Sequence, residues 1–233
     1  MINELTINHI KIELKKDYAI FQDVDLVFNS ASGLLLMRTG TAKVIRKHSE
    51  KLNPEEKKEY FKLLNSFSNP IIKKYIEVNA VRKWEPKQAQ LSSFKRIIEN
   101  NGPYKAGDII IDKEWSKKDS KHVLHVVGMT YHLTNGELDI NKTTEELLIK
   151  VLKKAFQFAD NHKYKSISVP VLCTRGNYGL NPKVILRTIL KAIKETKSNF
   201  IKKIIICFES KGPRKAFDFL TQENLKEESI RIK

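Results

Sequence analysis

Two stretches of the sequence place small and hydroxyl residues where a strand-like run gives way to a helical one. The first is NSASGLLLMRTGTA, Asn29 to Ala42, and the second is CTRGNYGLNP, Cys173 to Pro182. Small side chains let the main chain approach a ligand closely, and the first turn of the following helix offers N–H groups without an intrahelical partner. A turn of that kind binds phosphate. Two of them suit a diphosphate. Arg38 and Arg175 add guanidinium groups able to make charge-assisted contacts to the same anion.

Both turns must be held at neighbouring strand ends to act on one ligand, and the pattern along the chain supplies such a frame. Residues 5–14 (LTINHIKIEL) alternate with period two, and residues 24–29 read as a short buried strand. Further strands are expected at residues 107–112 (GDIIID), 122–129 (HVLHVVGM), 166–172 (SISVPVL) and 203–209 (KIIICFE). Helices are expected over residues 41–47, 54–65, 88–99, 182–197 and 213–222. Another follows the capping signature of Thr143, Thr144, Glu145 and Glu146. The stretch IIKKYIEVNAVRKWEPKQ is compatible with strand or helix, with Pro86 as a breaker. Strands alternating with helices imply an α/β fold with a mixed, mostly parallel sheet between two helical layers, and ligands of such sheets bind outside the carboxyl ends of the strands.

Composition narrows the classes. With 233 residues, 41% hydrophobic and 30% charged, the chain can bury a substantial core without disulfide or metal. Cys173 and Cys207 belong to no CxxC or Cys/His cluster, so neither metal nor cofactor is expected. His122 and His125 lie three apart on a strand and face opposite sides. Trp84 and Trp115 stand in polar stretches, as interface residues or half-buried packing. The opening MINELTINHIKIELKK has no apolar h-region and the longest apolar runs are far shorter than a bilayer span, so a cytoplasmic protein with no membrane role is expected. A net charge of +16 favours anionic partners, although lysine is scattered over nearly every expected helix.

Outside residues 49–104, the sequence resembles the macrodomain family. LVFNSASGLLLMRTGTAKVI is similar to that family's first ligand loop, AGDIIIDKEWSKKDSKHVLHVVGMTYH to its central hairpin, and SISVPVLCTRGNYGLNP to its second loop. The resemblance implies a three-layer α/β/α sandwich that binds ADP-ribose or a related NAD-derived nucleotide, free or attached to protein or nucleic acid. It places Asp17 at the adenine amino group with Tyr18 beside it, and Asn29, Ala31 and Ser32 near the distal ribose. Arg38, Gly40 and Thr41 fall at the diphosphate. Thr174, Arg175, Gly176, Asn177 and Tyr178 form the second loop, and Phe208 either stacks on adenine or is a core aromatic of the last strand.

Departures from the family pattern bear on activity. Ser32 replaces the second asparagine, the glycine run shrinks to Arg38-Thr39-Gly40, and Ala42 stands where hydrolytic members often carry an aspartate. An ADP-ribosyl hydrolase would have to work through a non-standard set in which Asn29 and Ser32 are the candidates. Single-stranded nucleic-acid binding on the basic surface is the reading from another class. The whole chain is expected to form one domain, with an insertion at about 49–104 that is a helical cap, a partner-binding arm or simple elaboration.

Overall fold

Alternation of apolar and polar residues is interrupted at Asn8, where a φ of 57° lets the chain reverse. The single strand expected over 5–14 is therefore a hairpin of β1 (Glu4–Ile7) and β2 (Ile10–Lys15). The computed structural model describes residues 4–81, 85–134, 137–141, 143–172 and 180–208. A short 3-10 turn at Ala19–Phe21 leads to β3 (Leu26–Ser32). Then come α1 (Gly40–His48), α2 (Pro54–Ser66), α3 (Pro70–Ile76) and α4 (Gln88–Glu99). The rest alternates: β4 (Ile109–Asp112), β5 (His122–Thr134), β6 (Glu137–Asn141), α5 (Glu145–Asn161), β7 (Ser166–Pro170), α6 (Pro182–Glu195) and β8 (Lys203–Cys207).

The sheet runs β1-β2-β8-β7-β3-β5-β4, with β6 paired to the far end of β5. Strands β2, β8, β7, β3 and β5 are mutually parallel, while β1, β4 and β6 are antiparallel to their neighbours. Parallel strands buried on both faces need apolar residues along most of their length, and IIIC in β8 and LVF in β3 meet that need. Leu26 and Phe28 of β3 pack with α5 and α6 through Phe156, Ile185 and Ile189. Val27, one residue along, packs on the opposite side with Ala42 and Ile45 of α1. This is the three-layer sandwich expected from the alternation.

Residues 54–66 and 88–99 are helical as their patterns predict, and each start has a chemical cause. The Asn53 side chain accepts from the Glu56 N–H while the Glu56 carboxylate accepts from the Asn53 N–H, a reciprocal cap. The ambiguous stretch becomes α3 and a π-helical turn at Glu77–Val81. Tyr60 of α2 stacks on Phe94 of α4 at 4.8 Å, and with Leu64 and Ile97 they pack against Leu34, Leu35 and Leu36 of the first loop. Trp115 is wholly buried rather than an interface residue, its indole N–H donating to the Lys121 carbonyl at 2.8 Å. Trp84 and the helix expected at 213–222 lie outside the described residues.

One glycine is fixed by close approach rather than by its own dihedrals. The Gly33 N–H donates to the Met129 carbonyl and its carbonyl accepts from Tyr104, which places the Tyr104 carbonyl oxygen 2.1 Å from where a Cβ would stand. Backbone cannot yield as a side-chain tip can. Gly33→Ala should lower unfolding free energy by about 1–3 kcal/mol, measured by urea denaturation. A change within about 0.5 kcal/mol would show that the β3 end and the 104 loop are not in contact.

Candidate functional site

The parallel strands align their carboxyl ends on one edge: Lys15 of β2 pairs with Cys207 of β8, which pairs with Pro170 of β7. Next in order is β3, bonded directly to β7 through Leu26–Ile167 and Val27–Ser168. The chain leaves β3 for α1 on one face of the sheet and leaves β7 for α6 on the other. Adjacent strands whose connections part to opposite faces open a crevice at the sheet edge, the position where α/β sheets bind ligands. The two turns singled out by their residue types are the ones that leave these strands.

Asp17 and Tyr18 lie just past β2 on this edge. The Asp17 carboxylate is exposed, accepting from the Tyr18 N–H at 2.7 Å and from Nε2 of Gln22 at 2.9 Å, which fixes its orientation while leaving acceptor capacity to solvent. Asn29, Ala31 and Ser32 form the end of β3, where a bulge between Ala31 and Ser32 shifts the pairing with β5. Arg38 is half-buried and donates through Nη1 to the Tyr75 hydroxyl at 3.3 Å. Gly40, with a φ of 55°, opens α1, and the Thr39 side chain makes no capping bond. Thr41 follows in the first turn. Phe208 is 6% exposed, packed in the core with its N–H on the Lys15 carbonyl. Thr174, Arg175, Gly176, Asn177 and Tyr178 lie outside the described residues.

The first loop is built differently from a glycine-rich one. Leu34, Leu35, Leu36 and Met37 are all buried, and Leu35 and Met37 hold positive φ values of 46° and 53°. Non-glycine residues in that region cost on the order of 1–3 kcal/mol each and persist only where packing holds them. Here the cluster of Tyr60, Phe94 and Ile76 holds the leucines, while Met37 sits among Ile20, Ile45 and Cys207. The loop is thus a packed, pre-set turn.

Beneath it runs a buried polar chain. Asn29, His125, Asp112 and Ser92 are each no more than 1% exposed. Nδ2 of Asn29 donates to Nδ1 of His125 at 2.9 Å, which puts the ring proton on Nε2. That nitrogen faces Oδ2 of Asp112 at 3.5 Å, the span of an ion-pair contact longer than a full hydrogen bond. Oδ1 of Asp112 accepts from the Ser92 hydroxyl at 2.7 Å and the Glu114 N–H at 2.9 Å. Burial alone would push the Asp112 carboxyl up; His125, Ser92 and the Glu114 N–H outweigh it and hold the group below its ordinary 3.8. The sequence carried a signal for this chain: the carboxylate in IIID and the second imidazole in HVLHVVG, His125, have to find each other if both strands are buried.

Other groups are set by burial alone. Cys207 is 2% exposed and its thiol is pushed up to about 12, so it is no nucleophile at neutral pH. Cys173 lies outside the described residues. Among the described residues no cluster of three His, Cys, Asp or Glu is placed to hold a metal, and no helix is long and apolar enough to cross a membrane. His125 faces Asn29 and Asp112, whereas Nδ1 of His122 contacts the Tyr164 hydroxyl at 2.5 Å, as opposite strand faces require.

Because the folded Asp112 titrates below 3.8, its contribution to stability is full above that pH and is lost as pH falls through the folded value. Asp112→Asn should cost about 2 kcal/mol at pH 7, by chemical denaturation, and the difference from wild type should shrink toward pH 3. A difference that is constant across that range would contradict an ionised Asp112 in the fold.

Comparison with known proteins agrees with this architecture. A sequence model of the Macro domain matches residues 79–189. An uncharacterized protein of Sulfolobus acidocaldarius is 27% identical over 109 residues, 47% of this chain and 54% of its own length. One of Saccharolobus solfataricus is 25% identical over 129 residues, 55% of this chain and 67% of its own length. The match thus spans about half of the first relative and two thirds of the second. Among solved structures, the Oceanobacillus iheyensis macrodomain with ADP aligns with a TM-score of 0.65 at 18% identity, covering 96% of both chains. The Trypanosoma brucei macrodomain in complex with ADP-ribose aligns with a TM-score of 0.57 at 14% identity, covering 90% of this chain and 68% of that one. The chain has the macrodomain fold, and residues 79–189 carry the sequence pattern of the Macro domain family, in a strongly diverged form.

Proposed function

We propose that the crevice at the carboxyl edge of the sheet binds ADP-ribose or a related NAD-derived nucleotide, free or attached to a macromolecule. The carrying observation is topological: β3 and β7 are hydrogen-bonded neighbours, and the helices that follow them in the chain, α1 and α6, pack on opposite faces of the sheet. Structural neighbours at low identity hold ADP or ADP-ribose, which supports the same ligand class for this fold. Asp17 takes the adenine amino group as acceptor, and the start of α1 at Gly40 and Thr41 offers N–H groups to the diphosphate. The resemblance of Thr174, Arg175, Gly176, Asn177 and Tyr178 to the family's second ligand loop makes them further candidates for the phosphates. Arg38, tied to Tyr75, adds charge at the first loop.

Binding is favoured over hydrolysis for a physical reason. The Asn29 amide nitrogen is committed to His125, and Ala42, standing where an acid would orient water, is 8% exposed. Ser32 is half-buried and neutral at that edge. A general base at the distal ribose would have to come from elsewhere. Residues of about 49–104 are, on this reading, an elaboration of the same domain, because their helices complete the packing of the first loop.

Titration calorimetry with ADP-ribose, ADP and ribose 5-phosphate tests the proposal. ADP-ribose and ADP should saturate, and Asp17→Asn should weaken ADP-ribose about tenfold while leaving ribose 5-phosphate, which lacks the base, unchanged. No saturable heat with either adenine nucleotide would end the proposal.

A further inference from the structure

Between the crossover that follows β2 and the outer face of α1 lies a second concavity, a cleft of about 430 Å³. Tyr18 and Gly40 form its upper end at the sheet edge; Phe21, Lys43, Val44, Lys47 and His48 line its length. Lys43 and Lys47 stand four apart, so they share one face of α1 with about 6 Å of rise between them. Neither makes an ion pair among the described residues, although ion pairs are frequent elsewhere on this surface. The carboxylates near the cleft are engaged: Asp119 lies 3.8 Å from His48 and 3.4 Å from Lys121, and Asp17 accepts from Gln22 and the Tyr18 N–H. Asp17 keeps its charge beside Tyr18 because its donors are neutral, whereas Lys43 and Lys47 along the length of the cleft have no paired carboxylate among the described residues.

Its floor carries an aromatic ring that the fold has no use for. Phe21 is 50% exposed, although the residues on either side of it in the fold are buried. Its ring meets Tyr18 at 5.9 Å and His48 at 5.5 Å, both edge to face, so the ring is held in place rather than loose on the surface. His48 is in turn stacked at 6.2 Å on the buried Trp115, which ties the platform to the core. A fixed, half-open ring beside a row of free ammonium groups is the arrangement that binds single strands, with a base on the ring and successive phosphates on the lysines. An acidic peptide would use the lysines and leave the ring idle. The geometry points to a binding track for single-stranded nucleic acid between the Ala19–Phe21 turn and α1, with Phe21 as the stacking platform and Lys43 and Lys47 as the phosphate contacts.

This track adjoins the nucleotide crevice at Tyr18 and Gly40, but its ring and lysines, Phe21, Lys43 and Lys47, are not among the residues proposed to hold ADP-ribose. Fluorescence anisotropy with a labelled oligo-dT strand at low salt tests it in the full chain. Wild type should bind saturably, and Phe21→Ala should weaken binding about tenfold, with Phe21→Trp restoring it. The Lys43→Gln, Lys47→Gln double variant should weaken it at least as much and make the slope of log K against log salt shallower by about 1.4. All variants should keep their calorimetric affinity for ADP-ribose, so a loss there would expose damage to the fold instead. The track is overturned by a strand that does not bind, or by binding that persists unchanged in Phe21→Ala. It is also overturned by polyglutamate competing as well as the strand does, which would mark a charge surface without base stacking.

Discussion

Everything at the ligand edge hangs on the buried contact between Asn29 and His125. These residues face each other across β3 and β5, and each would be an unaffordable polar group in an apolar sheet without the other. Asp112 and Ser92 extend the contact to β4 and α4, so one buried polar line, hydrogen-bonded except at the 3.5 Å His125–Asp112 contact, crosses three strands and reaches the helical layer. The line fixes where β3 ends relative to the rest of the sheet. The turn that follows β3 inherits that position.

A second constraint acts from above. Where a glycine-rich turn would leave backbone open and mobile, this chain fills the turn with Leu34 to Met37 and accepts two positive φ values to do so. The helices α2, α3 and α4 supply the apolar wall that makes this tolerable. The three helices and the apolar turn bury each other: Tyr60, Leu64, Ile76, Phe94 and Ile97 share one cluster with Leu34, Leu35 and Leu36. What is gained is a turn whose conformation is fixed by packing.

Sequence patterns made much of this frame readable. The acidic first turn and later basic residues of PEEKKEYFKLLN located α2 to within a residue, the span expected for α4 is the one observed, and the alternation of strands with helices predicted the layered sandwich. The hairpin at Asn8 was read as one strand although the apolar phase shifts across Asn8 and His9, from Leu5 and Ile7 to Ile10, Ile12 and Leu14, where the left-handed turn residue reverses the chain. The β5–β6 hairpin was missed for a related reason, since β5 runs on past the apolar stretch that marked it. Asn29 and Gly40 were legible as site candidates from their loop beside a strand end, and Asp17 only through the family resemblance. The partnership of Asn29 with His125 was not, because it depends on register between strands 96 residues apart. Lys43, Lys47 and Phe21 looked like ordinary surface until the crossover and α1 were seen side by side.

The claim beneath the functional account is that the edge formed by Asp17, the end of β3 and the start of α1 is one continuous nucleotide cradle. A crystal structure with ADP-ribose addresses it directly. The account predicts the adenine amino group on the Asp17 carboxylate and the diphosphate against the N–H groups from Arg38 to Thr41, with Leu34 to Met37 unmoved. A ligand seated elsewhere, or one admitted only after those buried residues turn outward, would contradict it.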